Sequence, residues 1–154
     1  MPEETEYDST VETLAHINLV QSYMVKMVSD LLERARAHDA SKLLSPEKEM
    51  YDQFTPRLRE STYGSPEYTA MLVAMGPGLQ EHYRQNRHHA EHFENGVNGM
   101  NLLDLLEMLA DWKAASQRHD DGDLRKSFAI NVRRFEISAQ LAQIIENTIN
   151  DLAL

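Results

Sequence analysis

The stretch VETLAHINLVQSYMVKMVSDLLERARAHDASK, residues 11–42, decides the fold. Val11, Leu14, Ile17, Val20, Met24, Met27 or Val28, and Leu31 recur at spacings of three and four. That period puts apolar side chains on one face of a helix. A helix is therefore expected over residues 9–37, capped by Ser9 or Thr10, with Glu12 near its first turn. His16 lies beside the stripe, one turn before Val20, at the expected edge of the core. The helix runs out into His38-Asp39-Ala-Ser-Lys42.

The same patterns continue outward from this stretch. Ser45-Pro46-Glu47 reads as a helix start with proline in the first turn, followed by Met50, Tyr51 and Phe54. That helix is expected to stop before Pro56, with a polar stretch over 57–64. Ser65-Pro66-Glu67 repeats the start signal ahead of Tyr68, Met71, Leu72 and Met75. Gly76-Pro77-Gly78 must break or kink the chain. A helix from Leu79 would put His82, Asn86 and His89 on one face and point His88 elsewhere. Residues 94–99 read as a loop. Asn101 then caps a helix to about residue 117, with Leu102, Leu105, Leu106, Met108, Leu109 and Trp112 as its core side. After a polar turn over 118–123, one last helix reaches about residue 151 through Phe128, Val132, Phe135, Ala139, Ala142, Ile145 and Ile149. No strand pattern competes. The expectation is an all-α, single-domain helical bundle of five to seven helices over 9–154, with residues 1–8 as a flexible tail.

The bulk composition narrows the chemistry. The 154 residues include no cysteine, which excludes disulfides and thiolate metal sites. A net charge of −10 disfavours binding to duplex nucleic acid but not to a small anion held by local groups. No apolar run approaches membrane-spanning length, and the N-terminus lacks a basic region ahead of an apolar stretch. A cytoplasmic protein without a membrane partner is expected. Homo-oligomerisation stays open, given the apolar last helix.

Six of the seven histidines fall in an ordered set with carboxylates: His16, the pair His38-Asp39, the cluster His82, His88, His89 and His92, and then Asp111. Imidazole mixed with carboxylate holds divalent metals for hydrolysis. A His-Asp pair alone reads rather as a helix end and a turn, and the chain carries its own control in His119-Asp120, which sits among charges and glycine without apolar support. Lys42 follows Asp39 by three residues and could neutralise a phosphate beside a metal. Asp104 and Glu107 read as an exposed polar face, whereas Asp111, flanked by Leu109, Ala110 and Trp112, reads as partly buried. A buried carboxylate must be paired or bound to metal.

With these residues in place, the chain resembles the HD-domain phosphohydrolases, an all-helical superfamily. The resemblance covers about residues 14–116. It is carried by the order of the ligand-type residues and by His38-Asp39-Ala40-Ser41-Lys42, which looks like the His-Asp-x-x-Lys form common in the superfamily. The chain is also similar to a set of small phage and bacterial HD-like proteins through His38-Asp39-x-Ser41-Lys42, Asn86-x-His88-His89-x-Glu91 and Glu107-Met108-x-x-Asp111-Trp112, which implies the host cytoplasm if a phage encodes it. The superfamily holds its metal with an early histidine, the His-Asp pair and a later aspartate, which implies His16, His38, Asp39 and Asp111 here. Members with two metals add histidines where His82, His88 and His89 lie. The branch that acts on deoxynucleoside monophosphates carries a catalytic Glu where this chain has Lys42.

The resemblance implies one or two ions of Mn²⁺, Co²⁺, Fe²⁺ or Mg²⁺, with His82 and His89 as further ligands. It implies a metal-activated water attacking the phosphorus of a nucleotide, a deoxynucleoside triphosphate or monophosphate. Lys42, with Arg84, Asn86 and Arg87, would bind the substrate's phosphoryl oxygens. Glu91 or a histidine of the cluster, such as His88, would protonate the leaving group. The rival reading is a non-catalytic helical protein that binds metal or nucleotide. A di-metal oxygen-handling bundle wants Glu-x-x-His pairs, and none occurs here.

Overall fold

The computed structural model describes residues 7–118 and 122–154; the His119-Asp120 pair lies outside the described residues. The described chain is all-helical. Six α-helices, α1 (Thr10–Ala37), α2 (Glu47–Glu60), α3 (Pro66–Gln85), α4 (Leu102–Ser116), α5 (Leu124–Arg134) and α6 (Ala139–Asp151), alternate with short 3-10 helices at Ala40–Leu43, Ala90–His92 and Gly96–Gly99. The chain divides into two compact units, Met1–Ala37 and His38–Leu154. No helix is long and apolar enough to cross a membrane among the described residues.

In the first unit, α1 spans nearly the expected residues; Ser9 O accepts the first helical bond, from Thr13 N–H at 2.9 Å, and Asp8 supplies the side-chain bond at this end. The Asp8 Oδ1 accepts from the Thr10 backbone N–H at 2.9 Å and from its hydroxyl at 2.6 Å. A carboxylate also suits the positive end of the helix dipole better than a hydroxyl does. Arg34 and Arg36 complement the other end. Taken by itself, α1 buries none of its residues, His16 included.

In the second unit, α2 runs on through Pro56 to Glu60 instead of stopping before the proline. Pro56 is exposed, so the lost N–H removes one rung without burying an orphan. Leu58 packs beyond it onto the cluster of Met50, Phe54 and Met75 and holds the last turn in place. In α3, Ser65 Oγ accepts from the Tyr68 N–H, and Pro66 fills the first turn. Gly76 breaks the helical path at φ 43 and ψ −121, a conformation that favours glycine, so the expected kink is present.

The helix expected past Leu79 ends early, at Gln85. α4 opens with a reciprocal capping box between Asn101 and Asp104. The single last helix of the sequence reading is two helices. Ile137 is buried in the main core, which takes the chain off the helical path, Glu136 turns left-handed at φ 51, and Ser138 caps the restart. That core joins Met108, Leu109 and Trp112 of α4 to Leu124, Ile137, Ile145 and Ile149.

Candidate metal centre

His38 and Asp39 head the second unit. Asp39 adopts φ 55, ψ 15, a left-handed conformation that aspartate tolerates better than most residues and that clusters at functional sites. The turn brings Lys42 back over it: Lys42 Nζ lies 2.5 Å from Asp39 Oδ2 and 4.8 Å from the centre of the Tyr51 ring. His82 comes from the last turn of α3. The chain then leaves the helix at Asn86, whose side-chain N–H groups reach the His82 carbonyl at 2.8 Å and Ser41 Oγ at 2.9 Å.

Because the segment after Asn86 is irregular, His88 and His89 both turn toward His82. A continued helix would have pointed His88 away. Three overlapping groups result: Asp39 with His82, His88 and His89; His38 with His88 and Glu107; and His38 with Asp39 and Asp111. In each, one ligand atom per residue lies within 4.8 Å of the others.

Hydrogen bonding fixes which nitrogens face inward. Glu47 and His82 are both 1 % exposed, and Glu47 Oε2 accepts from His82 Nδ1 at 2.8 Å and from Ser41 Oγ at 3.0 Å. Glu107 Oε1 lies 2.9 Å from His38 Nδ1 and 3.1 Å from His88 Nδ1. With Nδ1 donating to a carboxylate, Nε2 of His82 and of His88 carries a lone pair. Both Nε2 atoms lie 3.5 Å from Asp39 Oδ1. His88 Nε2 and Asp39 Oδ1 are buried with no hydrogen-bond partner. His89 Nε2 adds a further nitrogen 2.9 Å from His82 Nε2. Buried lone pairs that face one another without a proton are costly, and a cation relieves them. Three imidazole nitrogens and a carboxylate oxygen suit a divalent transition ion.

Electrostatics supports the same arrangement. Burial holds His82, His88 and His89 below the usual imidazole range, His89 down to about 3, so at pH 7 they are neutral, the form in which imidazole can bind a metal. His38 behaves oppositely: the carboxylate of Asp111, then Glu107 and the charge of Asp39, hold it up to about 9 against burial. Asp111, which burial alone would push up, is drawn down to about 2 by His38 and the neighbouring imidazoles. Burial also works against ionised Asp39, but Lys42 and His38 hold it below the ordinary aspartate value.

The structure thus gathers His38, Asp39, His82, His88, His89 and Asp111, with Lys42 against Asp39. His16 belongs to the other unit, on α1. His88, expected as a proton donor, sits among the ligand atoms. Glu91 pairs with Arg134 at 2.8 Å. Of the expected substrate contacts, Asn86 props His82 and Ser41, Arg84 is exposed and pairs with Glu81, and Arg87 forks onto Asp104 at 3.0 and 3.2 Å.

Two carboxylates correct the sequence reading. Asp104 is fully buried by Arg87 and its capping box, and Glu107 is partly buried between two histidines, so neither forms an exposed face. Spacing alone shows only that both share a helix face with Asp111, not that histidines cover it. Glu47 is a third carboxylate that the sequence hides, because a glutamate behind Ser-Pro reads fully as a helix start.

Comparison with curated proteins and with solved structures finds no match. A family match does cover residues 5–151, nearly the whole chain. The chain that builds this centre therefore belongs to the Family of unknown function (DUF5662).

Proposed function

We propose that the protein is a metal-dependent phosphohydrolase of the HD-domain type that acts on a nucleotide. The observation that carries this reading is the position of Asp39. Its Oδ1 faces His82 and His88 at 3.5 Å, while its Oδ2 lies 3.4 Å from His38 Nε2 and 2.5 Å from Lys42 Nζ. One carboxylate is shared by two sets of ligand atoms, with a cation beside it.

Asp39, His82, His88 and His89 would hold one ion; His38 and Asp111, sharing Asp39, could hold a second. A divalent ion bound there lowers the pKa of water enough to give a nucleophile at neutral pH. Glu47 and Glu107 fix the imidazole tautomers and raise their basicity as ligands. Lys42 places its positive charge where a phosphoryl oxygen beside Asp39 would be neutralised. The half-buried Tyr51 lies under Lys42, edge-on to His82 with ring centres 5.6 Å apart, and shields this side from water. A nucleotide substrate follows from the resemblance to HD-domain proteins together with this pairing of lysine and ligand cluster.

The test is elemental analysis of the purified protein followed by incubation with a pool of ribo- and deoxyribonucleotides in Mn²⁺, Co²⁺, Fe²⁺ or Mg²⁺. Release of phosphate, pyrophosphate or tripolyphosphate that Asp39→Ala abolishes is the expected result. Metal bound stoichiometrically with no product from any nucleotide would leave a binding protein instead.

A further inference from the structure

Beside the metal centre lies a second polar cluster that the proposed reaction does not use. Arg134 at the end of α5 donates from Nη2 to Glu91 Oε1 at 2.8 Å, one turn beyond Asn131 on the same helix, and its charge acts on the hydroxyls of Tyr63 and Tyr83. The Tyr63 hydroxyl donates to Asn131 Oδ1 at 2.8 Å. Asn131 is fully buried, and its Nδ2 has no hydrogen-bond partner. The cluster adjoins the ligand set, because the Tyr83 ring stands 4.9 Å from the His89 ring. Tyr68, packed 5.1 Å from Tyr63, feels the charges of Arg134, Arg118 and Asp111 together.

We infer that Arg134, with Tyr63, Tyr83 and Asn131, forms a subsite for a second phosphate group, which makes the substrate a nucleoside di- or triphosphate. The inference rests on the phosphohydrolase reading. Its chemical basis is the donor character of the atoms on offer: guanidinium N–H, phenolic O–H and an amide N–H with nothing to bond. A guanidinium matches phosphate oxygens in geometry as well as charge.

The charge balance argues the same way. The chain carries −10, and the metal centre is lined by Asp39, Glu47, Glu107 and Asp111. A polyphosphate approaching it needs fixed cations near the reacting group. Arg87 is committed to buried Asp104, and Arg84 stands in an exposed pair with Glu81. Arg134 is the cation tied into the tyrosines next to His89. Its carboxylate partner, Glu91, sits in a three-residue 3-10 helix and is 28 % exposed, so an incoming phosphate can exchange with it at low cost.

The experiment titrates inorganic tripolyphosphate into chelator-treated full-length protein by calorimetry, for wild type, Arg134→Gln and Tyr63→Phe. Wild type is expected to bind, and Arg134→Gln to weaken binding by about tenfold or more, with Tyr63→Phe intermediate. Arg134→Lys is included in case the glutamine variant fails to fold. It keeps the charge, loses the fork, and should lie between the two. Steady-state kinetics then compare a nucleoside triphosphate with its monophosphate, and only the triphosphate KM should rise in Arg134→Gln. Equal tripolyphosphate binding by wild type and variants, or equal KM changes for both substrates, overturns the subsite. Arginine-dependent tripolyphosphate binding in a protein that hydrolyses nothing overturns the phosphohydrolase reading and keeps the subsite.

Discussion

His82 Nδ1 and Glu47 Oε2 lie 2.8 Å apart, and both side chains are 1 % exposed. A carboxylate so buried costs several kcal/mol unless it is bonded; Ser41 supplies a second contact on the same oxygen, and Oε1 has no hydrogen-bond partner. The pair orients an imidazole that would serve as a ligand. Glu47→Gln preserves size but weakens the acceptor for the Nδ1 proton. Metal affinity should fall about 10- to 100-fold, as for other partners behind a ligand histidine. Competition against a fluorescent chelator reads the change, and circular dichroism checks that the helices remain. Unchanged affinity would remove His82 from the ligand set.

The proton on His38 gives metal binding a pH dependence of known sign. Asp111, Glu107 and Asp39 hold this imidazole charged up to about 9 in the metal-free protein. An ion that uses His38 must displace that proton, so affinity should climb about tenfold per pH unit from pH 7 and level off near pH 9. His89, already neutral down to about 3, adds no slope over this range. In His38→Ala the slope should disappear. The metal-free fold behaves in the opposite way. The stability that charged His38 contributes is fully present below the unfolded imidazole value of about 6.5, and is lost as pH rises through about 9. Thermal melts of the metal-free protein between pH 6 and 10 check that sign, with His38→Ala as the reference.

Asp104 and Asp111 stand seven residues apart on α4, yet the structure separates their roles. Asp104 is fully buried under the Arg87 fork and also closes the capping box with Asn101. Asp104→Asn should lower stability by about 2 kcal/mol, because a fully buried carboxylate loses the charge that accepts the Arg87 fork and closes the capping box. Metal affinity should stay near that of the wild type. Asp111→Asn should do the reverse, keeping most of the stability while losing metal at the His38 side of the centre. Melting curves and metal titrations on both variants test the division, and matching profiles would refute it.

How much of this was legible in the sequence depends on what each residue answers to. Helix starts at Ser65 and Asn101 were readable because a cap is a local device: one oxygen and the N–H three residues on. The break at 135–138 was not, because it depends on Ile137 finding the core of α4 and α6, a long-range preference that helical periodicity hides. The ligand types His38, Asp39, His82, His89 and Asp111 stood out by composition and order. The orientation of His88 is hidden in the sequence for a conformational reason: α3 ends at Gln85, and only an irregular segment lets adjacent histidines share a target. Glu47 and Glu107 escaped as partners because their significance lies in what covers them, and nothing in their own neighbourhood of sequence states that.

The kink at Gly76 offers the last prediction, and it links backbone geometry to the centre. Gly76 holds φ 43 and ψ −121 inside α3, and a Cβ added there would meet no atom within 4 Å. Any cost of Gly76→Ala is therefore backbone strain rather than a clash, on the order of 1–3 kcal/mol. Two responses can be distinguished. If the kink survives, stability falls by that amount and metal affinity is kept. If the alanine straightens α3 to escape the strain, His82, six residues further on, is swung away from Asp39, and affinity falls together with stability. The contacts of Met75 with Met50 and Phe54 just before the kink, and the His82–Glu47 bond just after it, resist straightening. The expected outcome is thus a lower melting temperature with nearly unchanged metal affinity.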